Sequence, residues 1–441
     1  MVRKRTLHQL VQGTRSKFII LRGDLIMTGA GDRPIPNMAL RRRRDDQQWI
    51  LDWMVKTTGR DRQFFYDGRT LPAAVKSYAM IPREMEKEAR HKETLAKAAE
   101  ERGHHLTACE LYQKAVTDYH GALHPLPYEG NEESAYLYRK MEECFHKVVR
   151  YNPTPMEWVE IPWEGKSLPA IFYKADQKVP GPTVFFCNGM DVPMEIFPDP
   201  LNNPFVARGM NVLAIDGPGQ GIALHRKIWI TADNWQRAGK AALDYLTARP
   251  EVDPGKIGGV GWSMGSYWMM SLAAQDARMK ALATGGACYG AKKGIFEMCS
   301  PHFKKRFMHM ANMEDEQAFD EMAEVMALTD EEISSIAAAC LMIVGEYDPM
   351  TPLEEAVHIF EGLQGSREFW LMENDGHGSG ASAHLGGYPR FHAVADWLLD
   401  VLEGRKPSHF DRKVVLHPNR GRGPYAADAP GFFLPERLQA E

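Results

Sequence analysis

The sequence predicts an α/β architecture: a mostly parallel central sheet covered by helices on both faces, with an N-terminal helical cap and a helical lid insertion. Three observations carry this. From about residue 153, short apolar runs of strand length alternate with helical segments. Gly261-Trp262-Ser263-Met264-Gly265 stands between one such run and a helix. Residues 45–152 carry helical periodicity instead of strand runs.

Composition narrows the class. A chain of 441 residues is long enough for two or three domains and a large core. Its 44% hydrophobic and 25% charged residues are ordinary for a soluble globular protein. A formal net charge of −5 argues against a nucleic-acid partner. No apolar stretch is long enough to cross a bilayer, so no membrane association is expected. Cys109, Cys144, Cys187, Cys288, Cys299 and Cys340 form no C-x-x-C pair. They read as free thiols of a reducing compartment, which places the protein in the cytoplasm. With no HExxH, P-loop or dinucleotide fingerprint, neither a metal nor a cofactor is expected.

Residues 1–44 read as a poorly ordered basic extension. Arg3, Lys4, Arg5, Arg15, Lys17 and Arg22 precede any acidic residue, and Arg41 to Arg44 form a second basic run. A secretory signal is not expected, because the apolar segment is too short and no small-residue cleavage site follows. Translation from Met27 or Met38 is an alternative start. In the cap, helices are expected over Arg83 to Arg102, Leu106 to Tyr119 and Glu132 to Val149. Gly103 interrupts the first two, whose pattern (Ala98, Gly103, Ala108, Tyr112) resembles a single tetratricopeptide hairpin.

The catalytic domain is expected over 153–405, with a C-terminal extension at 406–441. Trp158 to Pro162 and Leu168 to Tyr173 read as a meander. The runs Thr183 to Cys187, Asn211 to Ile215, Ile257 to Val260, Ala281 to Tyr289, Leu341 to Val344 and Phe369 to Met372 read as sheet strands. Helices are expected over Thr231 to Thr247, Met264 to Ala274, Ala356 to Leu363 and Phe391 to Leu402. Residues 290–338 break this rhythm as a Met-rich helical lid.

The glycine-flanked serine is the first member of a chemical constellation. Gly261 and Gly265 lack Cβ, so the chain can turn sharply and expose the Ser263 hydroxyl. A serine hydroxyl is a weak nucleophile at neutral pH and needs a base beside it. Asp348 follows the strand Leu341 to Val344, and His377 follows the strand ending at Met372. Order and strand-end placement assign Ser263 as nucleophile, His377 as base and Asp348 as orienting acid. Asp375 lies too near His377 in sequence to face it, and Glu346 is a second alternative acid. His358, His384 and His392 lack a strand-end glycine context and read as structural or exposed. The oxyanion hole is expected from the N–H groups of Met264 and Met190, with Gly189 permitting the approach.

Phe186-Cys187-Asn188-Gly189-Met190-Asp191, Asp216-Gly217-Pro218-Gly219-Gln220-Gly221, the Ser263 elbow and Ala395-Asp396-Trp397-Leu398-Leu399-Asp400 resemble the α/β-hydrolase superfamily. Within it the likeness is to the FrsA-like esterase group. That group includes 2,6-dihydroxypseudooxynicotine hydrolase and fungal hydrolases that shorten pigment polyketides. The likeness covers roughly residues 80–405 and implies an α/β-hydrolase fold with a helical cap. It also implies serine-dependent cleavage of a carbon–carbon bond next to a ketone, in an aromatic or polyketide-like substrate. The resemblance further implies an auxiliary acid, for which Glu297 occupies a comparable place.

Trp262, Asp191, Phe296 and Met298 are the expected pocket residues, with Phe303, Met308, Met310 and Met313 as further adaptable walls. A carboxylesterase or lactonase using the same triad is the alternative. The apolar face of the cap offers a surface for pairing two subunits, so a homodimer is expected.

Overall fold

The computed structural model describes residues 18–21, 24–27, 63–64, 69–72, 74–126, 131–176, 180–299, 301–377 and 381–429. Its centre is a nine-stranded sheet. The antiparallel pair β1 (Met156–Trp163) and β2 (Lys166–Tyr173) leads into β3 (Gly181–Cys187), β4 (Asn211–Ile215) and β5 (Val252–Trp262). Then come β6 (Met279–Gly285), β7 (Ala339–Gly345), β8 (Arg367–Met372) and β9 (Asp411–Leu416). The order across the sheet is β9-β8-β7-β6-β5-β3-β4-β2-β1. β2 joins β4 antiparallel, and every pairing from β4 to β9 is parallel.

Strand periodicity divides the core into two layers. Val184, Phe186, Val212, Ala214, Leu341 and Ile343 face one side. Phe185, Cys187, Leu213, Ile215, Met342 and Val344 face the other. Each β residue points opposite to its neighbour, so an apolar run fills both layers at once. The first layer is shared with three cap helices, α1 (Ile81–Glu101), α2 (His105–Leu123) and α3 (Glu132–Tyr151). The second packs against the helices that follow β4 and β5: α4 (Gly221–His225), α5 (Asn234–Thr247) and α6 (Met264–Gln275). There Trp235 of α5 stacks on Trp268 of α6, with centroids 5.4 Å apart.

The lid separates β6 from β7. It comprises α7 (Lys292–Met298), α8 (Pro301–Met310), α9 (Glu316–Glu324) and α10 (Asp330–Ser335). Phe296, Phe307 and Phe319 form its own small core, with ring centroids 5.1 to 6.0 Å apart. α11 (Leu353–Gly362) and α12 (Arg390–Leu402) are the remaining α-helices among the described residues.

The cap is a tight helical layer. Ala89 and Ala96 of α1 meet Ala108, Tyr112, Ala115 and Tyr119 of α2, all buried, and the small side chains let the helices approach closely. Pro82 sits in the first turn of α1, where a missing N–H costs nothing. Asn131 caps α3 by accepting the Glu133 and Ser134 N–H groups. Two carboxylates bind the layer together. Glu93 of α1 accepts Tyr119 Oη at 2.6 Å and Lys140 Nζ at 2.7 Å. Glu100 accepts Tyr112 Oη at 2.6 Å, Tyr151 Oη at 2.7 Å and Lys147 Nζ at 2.7 Å.

Several expectations need correction. Much of 45–80 lies outside the described residues, but within it Gln63–Phe64 pairs antiparallel with Arg69–Thr70, where helix was expected, and the first described α-helix begins at Ile81. The Asp67-Gly68 dipeptide between those strands is a turn signal. Within the basic extension, Phe18–Leu21 pairs with Asp24–Met27; its remaining residues lie outside those described. The C-terminal extension supplies β9, an edge strand whose Asp411, Arg412 and Lys413 disguise it as a charged loop. The strand expected to reach Tyr289 stops at Gly285, because Gly286 takes a positive φ of 47°.

Candidate active site

β3 and β5 are neighbours, and the chain leaves β3 toward β4 on one side but leaves β5 toward β6 on the other. Such a switch point opens a crevice beyond the strand ends. The loop after β3 and the turn after β5 both enter it.

At the end of β5 the chain reverses into α6 within one residue. Ser263 carries the strain, with φ 54° and ψ −123°. The flanking glycines are sterically required. A Cβ on Gly261 would lie 2.4 Å from the Gly265 carbonyl oxygen, and one on Gly265 would lie 2.5 Å from that of Cys187. Ser263 N–H donates to Gly285 O at 3.0 Å, which ties the turn to β6.

His377 and Asp348 reach this point from the ends of β8 and β7. Ser263 Oγ lies 3.0 Å from His377 Nε2. His377 Nδ1 lies 2.9 and 3.1 Å from the two Asp348 oxygens. With Nδ1–H directed at the carboxylate, Nε2 is left as the acceptor for the serine hydroxyl. Asp348 is buried and also accepts Met350 N–H at 2.9 Å, which fixes its orientation. Cys288 Sγ stands 3.8 Å from Ser263 Oγ, and burial pushes this thiol up to about 12, so it remains protonated.

The loop after β3 lies against the serine. A Cβ on Gly189 would sit 3.0 Å from Ser263 Cβ. Met264 opens α6, and the first amides of a helix lack intrahelical acceptors. Gln220 braces the loop: its Nε2 donates to Asn188 O at 3.1 Å and Gly189 O at 2.9 Å. Its Oε1 accepts Gly217 N–H at 3.1 Å and Trp235 Nε1–H at 3.0 Å. Asp216 accepts Met194 N–H and Ile222 N–H, binding the same two loops together. Burial raises its carboxyl to about 6 against the opposing pull of these backbone donors.

Asp191 joins three layers. It contacts His124 Nε2 of the cap at 2.9 Å and Arg306 Nη1 of the lid at 3.5 Å. Arg306 Nη2 also donates to His124 O at 2.5 Å. Asp191 and Arg306, with His120, Tyr138, Met190, His225 and Met310, border a cavity of about 30 Å³. That is room for water rather than for a ring.

The other expected pocket residues fall elsewhere. Trp262 points into the core, edge-on to Phe391 at 4.8 Å, because successive β5 side chains alternate faces. Phe296 belongs to the lid core. Met298 is exposed. Glu297 is exposed too, since α7 buries Ile295 and Phe296 and turns the intervening face to solvent. Among the walls first expected in the lid, Met310 alone borders this cavity. His384 is buried, with Nε2 2.7 Å from Glu373 O, whereas His358 pairs with Asp330 on the surface. Gln220 and Arg306 were not apparent as site residues in the sequence. The Gln following Gly-Pro-Gly was the available signal for the first, and a lone lid arginine gave none for the second.

The prolyl oligopeptidase family (Peptidase_S9) matches residues 201–405. The α/β hydrolase psoB of Aspergillus fumigatus is 31% identical over 214 residues, 45% of this chain and 47% of psoB. The 2,6-dihydropseudooxynicotine hydrolase of Paenarthrobacter nicotinovorans is 25% identical over 264 residues, 60% of this chain and 70% of that protein. The chain thus spans about half the length of psoB. Among solved structures, that of 2,6-dihydroxy-pseudo-oxynicotine hydrolase superposes with a TM-score of 0.68 at 22% identity, covering 83% of this chain and 98% of the other. AbyA5 superposes with a TM-score of 0.55 at 16% identity, covering 84% and 98%. The chain has the α/β-hydrolase fold. Its relatives include that pseudooxynicotine hydrolase and several fungal hydrolases.

Proposed function

We propose that the protein is a serine hydrolase that cleaves a carbon–carbon bond adjacent to a ketone in an aromatic or polyketide-like substrate. The observation that carries this reading is the unbroken hydrogen-bonded path from Ser263 Oγ through His377 to Asp348. His377 Nε2 takes the serine proton as Oγ attacks the substrate carbonyl carbon. Asp348 holds the tautomer and stabilises the imidazolium. The oxyanion is received by the N–H groups of Met264 and Met190, beside Gly189. The carbon–carbon bond then breaks, its electron pair leaves with the aryl or enolate carbon, and the imidazolium proton is delivered to that carbon. Water, deprotonated by His377, attacks the acyl-enzyme and restores Ser263.

Resemblance to the pseudooxynicotine hydrolase and the fungal hydrolases supports carbon–carbon chemistry. The exposed position of Glu297 favours a second reading, because an ester hydrolase needs no auxiliary acid. An alcohol leaving group accepts its proton from His377 alone.

The two readings part on substrates. Carbon–carbon cleavage predicts turnover of an electron-rich aryl ketone at a rate comparable to a p-nitrophenyl ester. Ester turnover with an inert ketone would favour the carboxylesterase or lactonase. A cytoplasmic homodimer completes the proposal. Leu95 and Leu106 stand exposed on the cap helices as apolar surface for pairing, and light scattering would read the mass.

A further inference from the structure

Arg390 opens α12, at the positively polarised end of a helix, and is 4% exposed. Both circumstances disfavour a cation. Burial accordingly lowers its pKa. Its contacts indicate what keeps it there. Nη2 donates to Asp375 Oδ2 at 3.1 Å. The guanidinium carbon lies 5.6 Å from the centroid of the Trp262 ring. Asp375 Oδ1 accepts Gly376 N–H at 3.0 Å, and its carbonyl accepts Tyr347 N–H at 2.9 Å. The loops that Asp375 joins are already in contact: a Cβ on Gly345 would lie 2.2 Å from Gly376 O.

Trp262 precedes Ser263, Tyr347 precedes Asp348, and Asp375 lies two residues before His377. One buried guanidinium therefore reaches, directly or through Asp375 alone, a near neighbour of each of these three residues. We propose that Arg390 is the positioning residue of the site, setting the histidine loop against the serine turn and the aspartate loop through Asp375. This rests on the serine-hydrolase reading above. Arg390 acts at a distance from the reacting atoms, so it governs how well the base is aimed rather than what the substrate touches.

The test uses the full chain with p-nitrophenyl acetate, counting functional sites by fluorophosphonate titration. Arg390→Met is expected to lower kcat per titrated site by about 10²-fold, as a base displaced by about 1 Å would. KM should stay within about 3-fold. Arg390→Lys should recover part of kcat. Asp375→Asn should resemble Arg390→Met, and the double variant should be no worse than either single one. If Arg390→Met does not fold, Asp375→Asn carries the same split between kcat and KM. A merely structural arginine would reduce the number of titratable sites and leave turnover per site unchanged. That result, or losses that multiply in the double variant, would overturn the proposal. Wild-type protein that neither labels at Ser263 nor turns over the ester would instead sink the hydrolase reading on which it stands.

Discussion

The side-chain amide of Gln220 donates to the main-chain carbonyl of Gly189 at 2.9 Å. The glycine so held is the one whose Cβ-less backbone approaches Ser263. All four polar contacts of Gln220 are made within the protein, to Asn188, Gly189, Gly217 and Trp235. Replacing it with leucine strips these buried groups of their partner at a cost of about 3 kcal/mol. The loop after β3 then loses its brace. Gln220→Leu should lower kcat by about 10²-fold with a smaller change in KM. Steady-state kinetics on a p-nitrophenyl ester decides this; unchanged kcat would separate Gln220 from catalysis.

Gly189→Ala tests the same loop from the other side. The new methyl would sit 3.0 Å from Ser263 Cβ and 3.4 Å from its Oγ. The loop must back away, taking Met190 with it. Activity should fall while the melting temperature changes little, since the crowding is confined to the site. Gly265→Ala differs: its methyl would meet main-chain oxygens of Cys187 and Asn188 at 2.5 and 2.6 Å. That variant should lose stability as well as activity, as read by thermal melting.

The cap should loosen in acid. Burial pushes the Glu93 carboxyl up, but hydrogen bonds from Lys140, Lys97 and Tyr119 outweigh it and hold the group at about 2. Glu100 is likewise held at about 2, burial being outweighed by Lys147, Tyr112 and Tyr151. A folded pKa below the unfolded one adds stability above pH 4.5, the ordinary carboxyl value, and that contribution is lost as pH falls toward about 2. The melting temperature should therefore drop between those values. Glu93→Gln with Glu100→Gln should lower it at neutral pH and flatten that dependence. An unchanged acid limb in the double variant would contradict the assignment.

Glu368 fixes the edge of the sheet. It accepts Trp370 Nε1 at 2.8 Å, Trp397 Nε1 at 2.9 Å, Lys406 Nζ at 2.6 Å and Arg412 Nη1 at 2.5 Å. Glu368→Ala leaves two cations and two indole donors without their shared acceptor and should cost about 3–5 kcal/mol. Urea unfolding measures it. A loss near zero would mean that these donors find water instead.

What the sequence reveals depends on how local the determinant is. The elbow is legible because a serine at φ 54° forces glycine on both sides, which leaves a printed motif. Asp348 and His377 are legible because strand ends and chain order constrain them. Arg390 is hidden, since nothing local distinguishes a buried arginine at a helix start from an exposed one. Glu297 misleads for the opposite reason: its place relative to the elbow is suggestive, but α7 turns it outward. Trp262 fails as a wall through strand alternation. β9 escapes because its first three residues are charged, as edge strands tolerate.

Covalent labelling of the folded protein with a fluorophosphonate, read by intact mass and peptide mapping, tests the serine nucleophile most directly. One adduct per chain on Ser263 is expected, abolished in Ser263→Ala and slowed at least about 10³-fold in His377→Gln. Folded protein that takes up no label, or an equal rate of labelling after His377→Gln, would contradict it.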